Sequence, residues 1–596
     1  MFLLLWLTCF VVLPAQLATD PDIFAPKQPD AFMRLERVNT LVETGNWYDG
    51  HIARAAGAEG ADIHWTRPMD LLILGVAAPL VPFMQTRQAI EIAGVALPAL
   101  MSLILVFVCI WAVMPLMQPG NLFSIVILLA VQPIIQNYFG IGRVDHHMVL
   151  AVLTAAVLGY LIRLDKSGSN SRPALLAGIL TGLGIWISLE FLVVYVPVTL
   201  GLGVCWLLWG TSWRRINRDF ALGVGLACLA AVLVDVSPDN WLTARYDRIS
   251  IAQLFLVSCP AVFWILVAKT SECGGTITAR MVGAGLFAIV CLALIKFWYP
   301  GLFIGPEAEA DPRIAAIWYD NVSEMLPLFT SIRKMILFCL LPFCGIVYGL
   351  FVLSGKRHQE QRHTWVLLSL VLVCTGALAL AHMRTALYLS VAGVIAAGPL
   401  MEDVLNAVSA RFSGWRKGAT GLLVRAVIIL GPFSLAVLVG AFANGLKPAA
   451  ATTVTQAAET ECTVRDIAGF LADDKFIQGR GVLRFANNLD YGPELIYRTR
   501  HHFLAVPYHR NGETILDTYD LMTAVEFSRS RDLLGKYGID YILICPNASD
   551  ETYFRKSAEA SVLYNRLVNG DLPEELVPVE AAPKPWMLFE YRGNAM

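Results

Sequence analysis

The chain has 596 residues, of which 56% are hydrophobic and only 15% are charged. Its mean hydropathy is +0.59, so it carries far more apolar surface than a soluble fold of this length can bury. The formal net charge of −2 gives no global attraction to nucleic acid. These values exclude an ordinary soluble protein and predict a polytopic membrane protein.

Thirteen apolar segments approach the length of about 20 residues that a membrane-spanning helix needs. In chain order they cover 1–19, 87–116, 121–139, 146–164, 174–190, 191–210, 219–237, 250–268, 281–299, 334–354, 364–382, 385–401 and 423–443. The first is either a span or a cleaved signal that ends near Ala18. A further stretch, Met69 to Met84, is too short to span and predicts an external or re-entrant helix.

Basic residues between the segments set the orientation. With the N-terminus in the cytoplasm, four Lys- and Arg-rich loops fall inside, as the positive-inside rule requires. They contain Arg163, Lys166 and Arg172, then Arg214, Arg215 and Arg218, then Lys356, Arg357 and Arg362, and finally Arg411, Arg416 and Lys417. We therefore expect a transmembrane domain at 1–445, with external loops 20–86 and 300–333, in a bacterial inner membrane. The short loop 140–145 and the region 446–596 should also lie on the periplasmic, or outer, side.

The region 446–596 is polar, and strand-like segments such as GVLRFA and DYILICP alternate in it with helix-like segments such as TVRDIAGFLADD. This alternation predicts a small extracytoplasmic α/β domain. Cys462 and Cys545 are the cysteines of this region, and in an exported domain they could form a disulfide.

Ionisable groups at a membrane edge are unfavourable, so those that are present are candidates for function. The predicted topology puts one such set on the outer side: Asp30, His64, Asp145, His146, His147, Glu324 and Arg384. Taken together, the carboxylates, the Asp-x-His pair and the arginine favour a metal-and-phosphate site on one face.

Each of these residues also has a simpler interpretation. In extended backbone Asp145 and His147 would point the same way, towards one divalent ion, with His146 turned elsewhere, but Asp145 could instead cap a helix. Arg384 suits a phosphate or diphosphate headgroup, although it could equally reach for the membrane interface. Asp30 taken alone could be a solvated loop residue.

The order and spacing of five stretches resemble landmarks of the archaeal and bacterial single-subunit oligosaccharyltransferases, which have the GT-C fold. These stretches are PDAFMRLERV at 29–38, HWTRPMDLLI at 64–73, DHH at 145–147, VSE at 322–324 and MRTALY at 383–388. The resemblance implies about thirteen transmembrane helices and a catalytic divalent metal, Mn²⁺ or Mg²⁺. It also implies that Asp30, Asp145 and His147 hold this metal.

The same resemblance implies roles for the other residues. Glu324 would orient or activate the acceptor and help to complete the metal site. Arg384 would clamp the phosphate of the lipid-linked donor, and His64 and His146 are further candidates for phosphate contact.

The C-terminal region departs from the family pattern. The family reads the hydroxyl residue of the N-glycosylation sequon with a WWDYG motif, whereas this chain has NNLDYG at 487–492. Asp490 and Tyr491 match and would lie on the acceptor side, but Asn488 and Leu489 replace both tryptophans. We therefore expect a metal-dependent membrane glycosyltransferase that takes a sugar or oligosaccharide from a polyprenyl-phosphate or polyprenyl-diphosphate donor. Its acceptor would be a glycan, a lipid or a protein, with no nucleic-acid partner.

Other functions stay open at this stage. The chain could be a protein N-oligosaccharyltransferase that acts on Asn sequons. It could also be a polytopic transporter, although a transporter needs ionisable residues at mid-membrane on broken helices. A non-catalytic sugar-binding membrane protein would keep the topology without needing Asp30, Asp145 and Glu324 together.

Overall fold

The computed structural model describes residues 1–18, 22–57, 59–165, 170–269, 276–355, 359–445, 462–473, 476, 479–546, 554 and 561–593. Eight helical stretches in these ranges are long and apolar enough to cross a membrane, which makes the chain an integral membrane protein. They are Thr86–Leu116, Leu189–Asp235, Ile251–Lys269, Ile277–Trp298, Ile332–Ser354, Arg362–Ala381, Met383–Arg411 and Gly414–Phe442. Leu189–Asp235 contains two helices, Leu192–Trp209 and Trp213–Asp235.

Five shorter apolar helices complete the membrane part: Phe2–Leu17, Pro68–Ala77, Pro119–Ala130, His147–Ile162 and Arg172–Ile187. Pro68–Ala77 is the stretch predicted as external or re-entrant, and its 10 residues form a helix of only about 15 Å. The prediction of a continuous span at 121–139 was wrong. That segment forms two helices, Phe123–Ala130 and Pro133–Tyr138, with Gln132 extended between them. The cause is Pro133, which disfavours helical backbone at the residue before it.

The helix Ala386–Arg411 lies at the centre of the membrane part. Most of its residues are buried, and it packs against the helices Ile332–Ser354, Arg362–Ala381 and His147–Ile162. Close packing here depends on small residues, as is usual between membrane helices. A side chain at Gly393 would clash with the ring of Pro342 on the facing helix. The outer end of this buried helix therefore provides a rigid support for Arg384 in the preceding turn.

The C-terminal region folds around a five-stranded sheet, as the α/β prediction required. Its strands, in spatial order, are His502–Phe503, Arg484–Asn487, Tyr541–Ile544, Met587–Tyr591 and Leu576–Pro578. The first three strands are parallel to one another. Met587–Tyr591 runs antiparallel to both of its neighbours, Tyr541–Ile544 and Leu576–Pro578. The helices are Val464–Ala472, Gly492–Arg498, Gly512–Thr523, Phe527–Tyr537 and Leu563–Asn569. The predicted domain boundary falls at 446–461, outside the described residues.

The strand His502–Phe503 has only 2 residues. Pairing stops after Phe503 because the Asn487 side chain takes over the next hydrogen bonds. Its Oδ1 accepts from the Ala505 N–H at 3.1 Å and its Nδ2 donates to the Ala505 carbonyl at 3.0 Å. The chain is thereby turned away from the sheet, and Tyr508 and His509 face the membrane part of the protein.

The helix Gly492–Arg498 docks the C-terminal domain on the external helix Pro29–Thr44. The Arg87 Nη2 donates to the Tyr497 carbonyl at 2.5 Å, and the Tyr497 hydroxyl donates to Glu91 at 2.8 Å. Arg54 donates to the Ile496 carbonyl at 2.5 Å. These contacts fix the C-terminal domain directly over the outer ends of the membrane helices.

Cys462 and Cys545 are joined by a disulfide with a Cα–Cα separation of 6.3 Å. Both cysteines are buried, so labelling must be carried out on denatured protein. We expect a maleimide added in denaturant without reductant to leave both unmodified, and to label both after reduction. Cys109 and Cys205, which are free, should be labelled in both conditions and serve as controls. Labelling of Cys462 and Cys545 without reductant would contradict the bridge.

Candidate functional site

A cavity of about 880 Å³ lies between the ends of the membrane helices and the C-terminal domain. Eight of the residues singled out from the sequence line it: Asp30, His64, Asp145, His146, His147, Glu324, Arg384 and Asp490. Tyr491 is not among the lining residues, and its ring packs edge-on against Trp586 at a centroid distance of 5.0 Å. Candidate residues from several separate stretches of the chain thus meet in one place, whereas Tyr491 belongs to the packing of the C-terminal domain.

Asp145, His146 and His147 form a compact group of ligand atoms. Asp145 Oδ2 lies 2.6 Å from His147 Nδ1, and Asp145 Oδ1 lies 2.7 Å from His146 Nδ1. One ligand atom from each of the three residues lies within 4.8 Å of the others. The expectation that His146 turns elsewhere was therefore wrong. His146 has helical rather than extended backbone because His147 begins a helix, and the two imidazoles stack at 4.3 Å.

A glycine turn sets the direction of this group. Gly142 has φ +79°, and a side chain there would clash with the Ala25 carbonyl oxygen. Only glycine fits this left-handed position at no steric cost. The turn places the chain that leads to Asp145 beside the segment that leads to Asp30, and the Lys27 N–H donates to the Gly142 carbonyl.

Asp30 occupies the first turn of the helix Pro29–Thr44 and faces the group from the opposite side. Burial and the neighbouring charge of Asp145 raise the pKa of Asp30 to about 6, although Arg34 opposes the rise. Burial and Asp30 likewise raise the pKa of the Tyr508 hydroxyl well above its usual value. Asp30 is not in the group of atoms that lie within 4.8 Å of one another. Asp30 is a second carboxylate of this cavity, close enough to Asp145 for the two charges to interact.

The donor set fits a divalent cation. Asp145 is buried and Asp30 is partly buried, and a cation between two neighbouring carboxylates relieves their repulsion. Carboxylate oxygens and imidazole nitrogens are both ligands of divalent metals, so Asp30, Asp145 and His147 together suit such an ion.

Arg384 and His147 are joined through a residue that the sequence analysis missed. Glu190 Oε2 lies 3.2 Å from His147 Nε2 and 3.7 Å from Arg384 Nη1. Glu190 occupies the short turn Leu189–Phe191 between two membrane helices. A carboxylate inside the apolar run GIWISLEFLVV is itself a signal of function, and could have revealed this residue from the sequence.

Glu324 forms an ion pair that was not predicted from the sequence. Its Oε1 lies 2.5 Å from Arg143 Nη2, and the Arg143 guanidinium sits 4.3 Å from the centre of the Tyr138 ring. The Glu324 carbonyl also accepts from the Arg384 backbone N–H at 3.0 Å. The external segment that carries Glu324 is therefore held against the turn that carries Arg384.

A further cluster joins the two parts of the protein. Asp247 is buried and accepts from Arg510 at 2.6 and 2.8 Å and from His509 at 2.9 Å. Burial would raise the pKa of Asp247, but these hydrogen bonds more than offset it and hold the pKa well below its usual range. Burial and the neighbouring His509 lower the pKa of His64, so His64 is neutral and can donate one hydrogen bond into the cavity. Sequence analysis missed Asp247 and His509.

The chain matches no protein family profile and no curated protein. Its likeness to solved structures is clear. The oligosaccharyltransferase AglB from Archaeoglobus fulgidus, in complex with an inhibitory peptide and a dolichol-phosphate, aligns with a TM-score of 0.73 at 12% identity, over 98% of this chain and 79% of that chain. The chain has the oligosaccharyltransferase fold.

Two further structures of the A. fulgidus oligosaccharyltransferase agree. One, tethered to an acceptor peptide that contains an NVT sequon, aligns with a TM-score of 0.69 at 13% identity, over 99% of this chain and 73% of that chain. The other, a complex with Zn and sulfate, gives 0.64 at 11% identity, over 99% and 72%. The GT-C architecture expected from the sequence is thereby confirmed. Identity this low establishes the fold, and the chemistry must be argued from the cavity.

Proposed function

We propose that this protein is a metal-dependent membrane glycosyltransferase that takes a sugar or oligosaccharide from a polyprenyl-phosphate or polyprenyl-diphosphate donor. One observation carries the proposal: Asp30, the Asp145–His147 pair, Glu324 and Arg384 line a single cavity of an oligosaccharyltransferase fold. The dolichol-phosphate in the AglB complex supports a lipid-linked donor. The basic loops support an orientation with this cavity on the outer side of a bacterial inner membrane.

Each residue has a distinct part in the transfer. Asp30, Asp145 and His147 would hold the divalent ion, which would supply Lewis-acid stabilisation of charge on the phosphate. Arg384 is a fixed cation for the same charge, and His64 and His146 line the cavity as hydrogen-bond donors for the phosphate. The bond between the anomeric carbon and the phosphate oxygen breaks and leaves its electron pair on that oxygen. The acceptor atom forms the new bond to the sugar, and its proton passes to Glu324.

The acceptor is better explained as a glycan or lipid hydroxyl than as a sequon asparagine. Asn488 and Leu489, which replace the two tryptophans of the family motif, are both buried within the C-terminal domain. The Asn488 Oδ1 accepts from the Cys545 N–H at 2.9 Å, so this side chain serves the domain rather than a ligand. The sequon peptide in the A. fulgidus structure favours the alternative, a protein N-oligosaccharyltransferase.

The decisive assay uses the full chain in lipid nanodiscs with a polyprenyl-diphosphate-linked glycan and Mn²⁺. Parallel reactions contain a sequon peptide or bacterial envelope glycans as the acceptor. We expect transfer to the glycan fraction, and its loss on addition of EDTA. Efficient modification of the peptide asparagine would contradict the acceptor assignment, and a donor that is never consumed in any metal would contradict the whole proposal.

Arg384→Ala should weaken donor binding. A hydrogen bond to a charged group contributes about 1.5–3 kcal/mol, so the Kd for a short-chain polyprenyl phosphate should rise by roughly 10- to 150-fold. Isothermal titration calorimetry on the nanodisc protein measures this change. Arg416→Ala, which removes an exposed cation in the first turn of the last membrane helix, is the matched control and should leave the Kd unchanged. Equal affinity in Arg384→Ala and wild type would contradict the phosphate role.

Glu324→Gln should slow transfer and leave donor binding nearly intact, because Glu324 acts on the acceptor. Loss of a general base lowers kcat by about 100-fold or more. Single-turnover transfer with saturating donor measures the chemical step separately from binding. Asp320→Asn changes an exposed carboxylate four residues away and should retain the wild-type rate. A large loss of donor affinity in Glu324→Gln would contradict the assignment to the acceptor.

A further inference from the structure

Glu190 is a buried carboxylate that lies between His147 and Arg384 in the candidate site. Its side chain is 9% exposed and lines the cavity. Oε2 faces both His147 and Arg384. A carboxylate in a buried position is unfavourable unless it is paired with a charged group or a hydrogen-bond donor. Glu190 is paired with both His147 and Arg384, which indicates a specific role at this position.

The two nitrogens of His147 have different neighbours. Nδ1 faces Asp145 Oδ2 at 2.6 Å, and Nε2 faces Glu190 at 3.2 Å. An ion shared by Asp145 and His147 must therefore use Nδ1, since Nε2 points away from Asp145. Nε2 then carries the proton and donates a hydrogen bond to Glu190. A carboxylate on the outer nitrogen of a metal-binding histidine fixes its tautomer and ring orientation.

The same oxygen of Glu190 also holds Arg384. At 3.7 Å from Nη1 it is close enough to orient the guanidinium, yet the contact occupies only one of its nitrogens. Arg384 Nε is buried without a hydrogen-bond partner among the described residues. The guanidinium thus keeps donors for a phosphate while Glu190 keeps it beside His147.

We propose that Glu190 is the positioning residue that links the metal-binding imidazole of His147 to the phosphate-binding guanidinium of Arg384. This inference rests on the proposed function, because it assumes that Asp145 and His147 hold an ion. Glu190 contacts neither the ion nor the sugar. It selects the His147 tautomer whose Nδ1 is free to bind metal, and it aligns Arg384 beside that metal.

The test measures binding without turnover. Mn²⁺ affinity of purified Glu190→Gln in nanodiscs, without donor or acceptor, is determined by electron paramagnetic resonance. We expect the Kd for Mn²⁺ to be about 10- to 100-fold higher than that of wild type. This is typical when a metal-binding histidine loses the residue that accepts a hydrogen bond from its other ring nitrogen. Binding of a short-chain polyprenyl phosphate in EDTA should not weaken, because the substitution removes a negative charge beside the phosphate site. A collapsed turn would weaken both.

The matched control is Glu402→Gln. Glu402 is another buried glutamate, on the central helix Ala386–Arg411, and its Oε2 accepts from Asn121 at 2.9 Å. This variant should bind Mn²⁺ like wild type. In a His147→Ala background, Glu190→Gln should change the Mn²⁺ Kd by less than about twofold, since its effect passes through His147.

The outcomes separate the two claims. Wild-type protein that binds Mn²⁺, together with a Glu190→Gln variant that binds it equally well, overturns the role of Glu190 and leaves the proposed function standing. An undiminished effect of Glu190→Gln in the His147→Ala background also overturns the role. Wild-type protein that binds no divalent ion overturns both.

Discussion

Replacing Asp145 with asparagine is expected to lower transfer from a polyprenyl-linked donor by about 1,000-fold or more. Lewis-acid stabilisation by a bound metal contributes several kcal/mol, and each 1.36 kcal/mol changes the rate tenfold. Asp145 contacts both imidazoles, at 2.7 Å from His146 and 2.6 Å from His147, so its loss removes the carboxylate that the two histidines share. Initial rates of transfer at saturating Mn²⁺ give the size of the effect.

The control for this variant is Asp239→Asn, which makes the same change at an exposed residue in the short turn Pro238–Asn240. It should retain the wild-type rate. The Asp145→Asn protein should also keep its thermal unfolding temperature within the range of the control, which rules out misfolding. A rate within tenfold of wild type would show that the Asp145 group is not the metal site.

Replacing Asp247 with asparagine is expected to destabilise the contact between the C-terminal domain and the membrane part by about 3–5 kcal/mol. Asp247 is fully buried, and its loss of charge leaves Arg510 and His509 without their partner. For a domain of this size, 3 kcal/mol corresponds to a decrease of roughly 6–12 °C in the apparent Tm. Intrinsic tryptophan fluorescence on heating measures it.

Asp571→Asn is the matched control, since Asp571 forms an ion pair with Arg566 at 2.9 Å but is 71% exposed. Exposed ion pairs contribute only about 0–1 kcal/mol, so the Tm of this variant should change little. Equal shifts in the two variants would mean that the Asp247 cluster does not hold the domain in place.

The sequence was sufficient for features that depend on local pattern. Hydropathy located the membrane helices, and the rarity of charge at a membrane edge singled out Asp145 and Arg384. It was insufficient where a single residue changes the local backbone. Pro133 divides one predicted span into two helices, and the helix that starts at His147 brings His146 towards Asp145.

The partners of the predicted residues could not be found in this way. Arg143 pairs with Glu324 across 181 positions, and His509 pairs with Asp247 across 262. Single residues at such separations carry no spacing pattern, and only the packed fold brings them together. Glu190 is different, because a lone carboxylate in an apolar run is visible in the sequence itself.

The cavity has walls from both ends of the chain, since Asp30 belongs to the first external helix and Tyr508 and His509 belong to the C-terminal domain. During synthesis at about 5–20 residues per second, Asp30 leaves the ribosome roughly 25–95 s before His509 does. Throughout that interval the membrane helices can assemble, but the side of the cavity that the C-terminal domain forms is missing. The cavity is therefore complete only after the C-terminal domain has folded and docked, and a chain interrupted before that domain leaves the cavity open on one side.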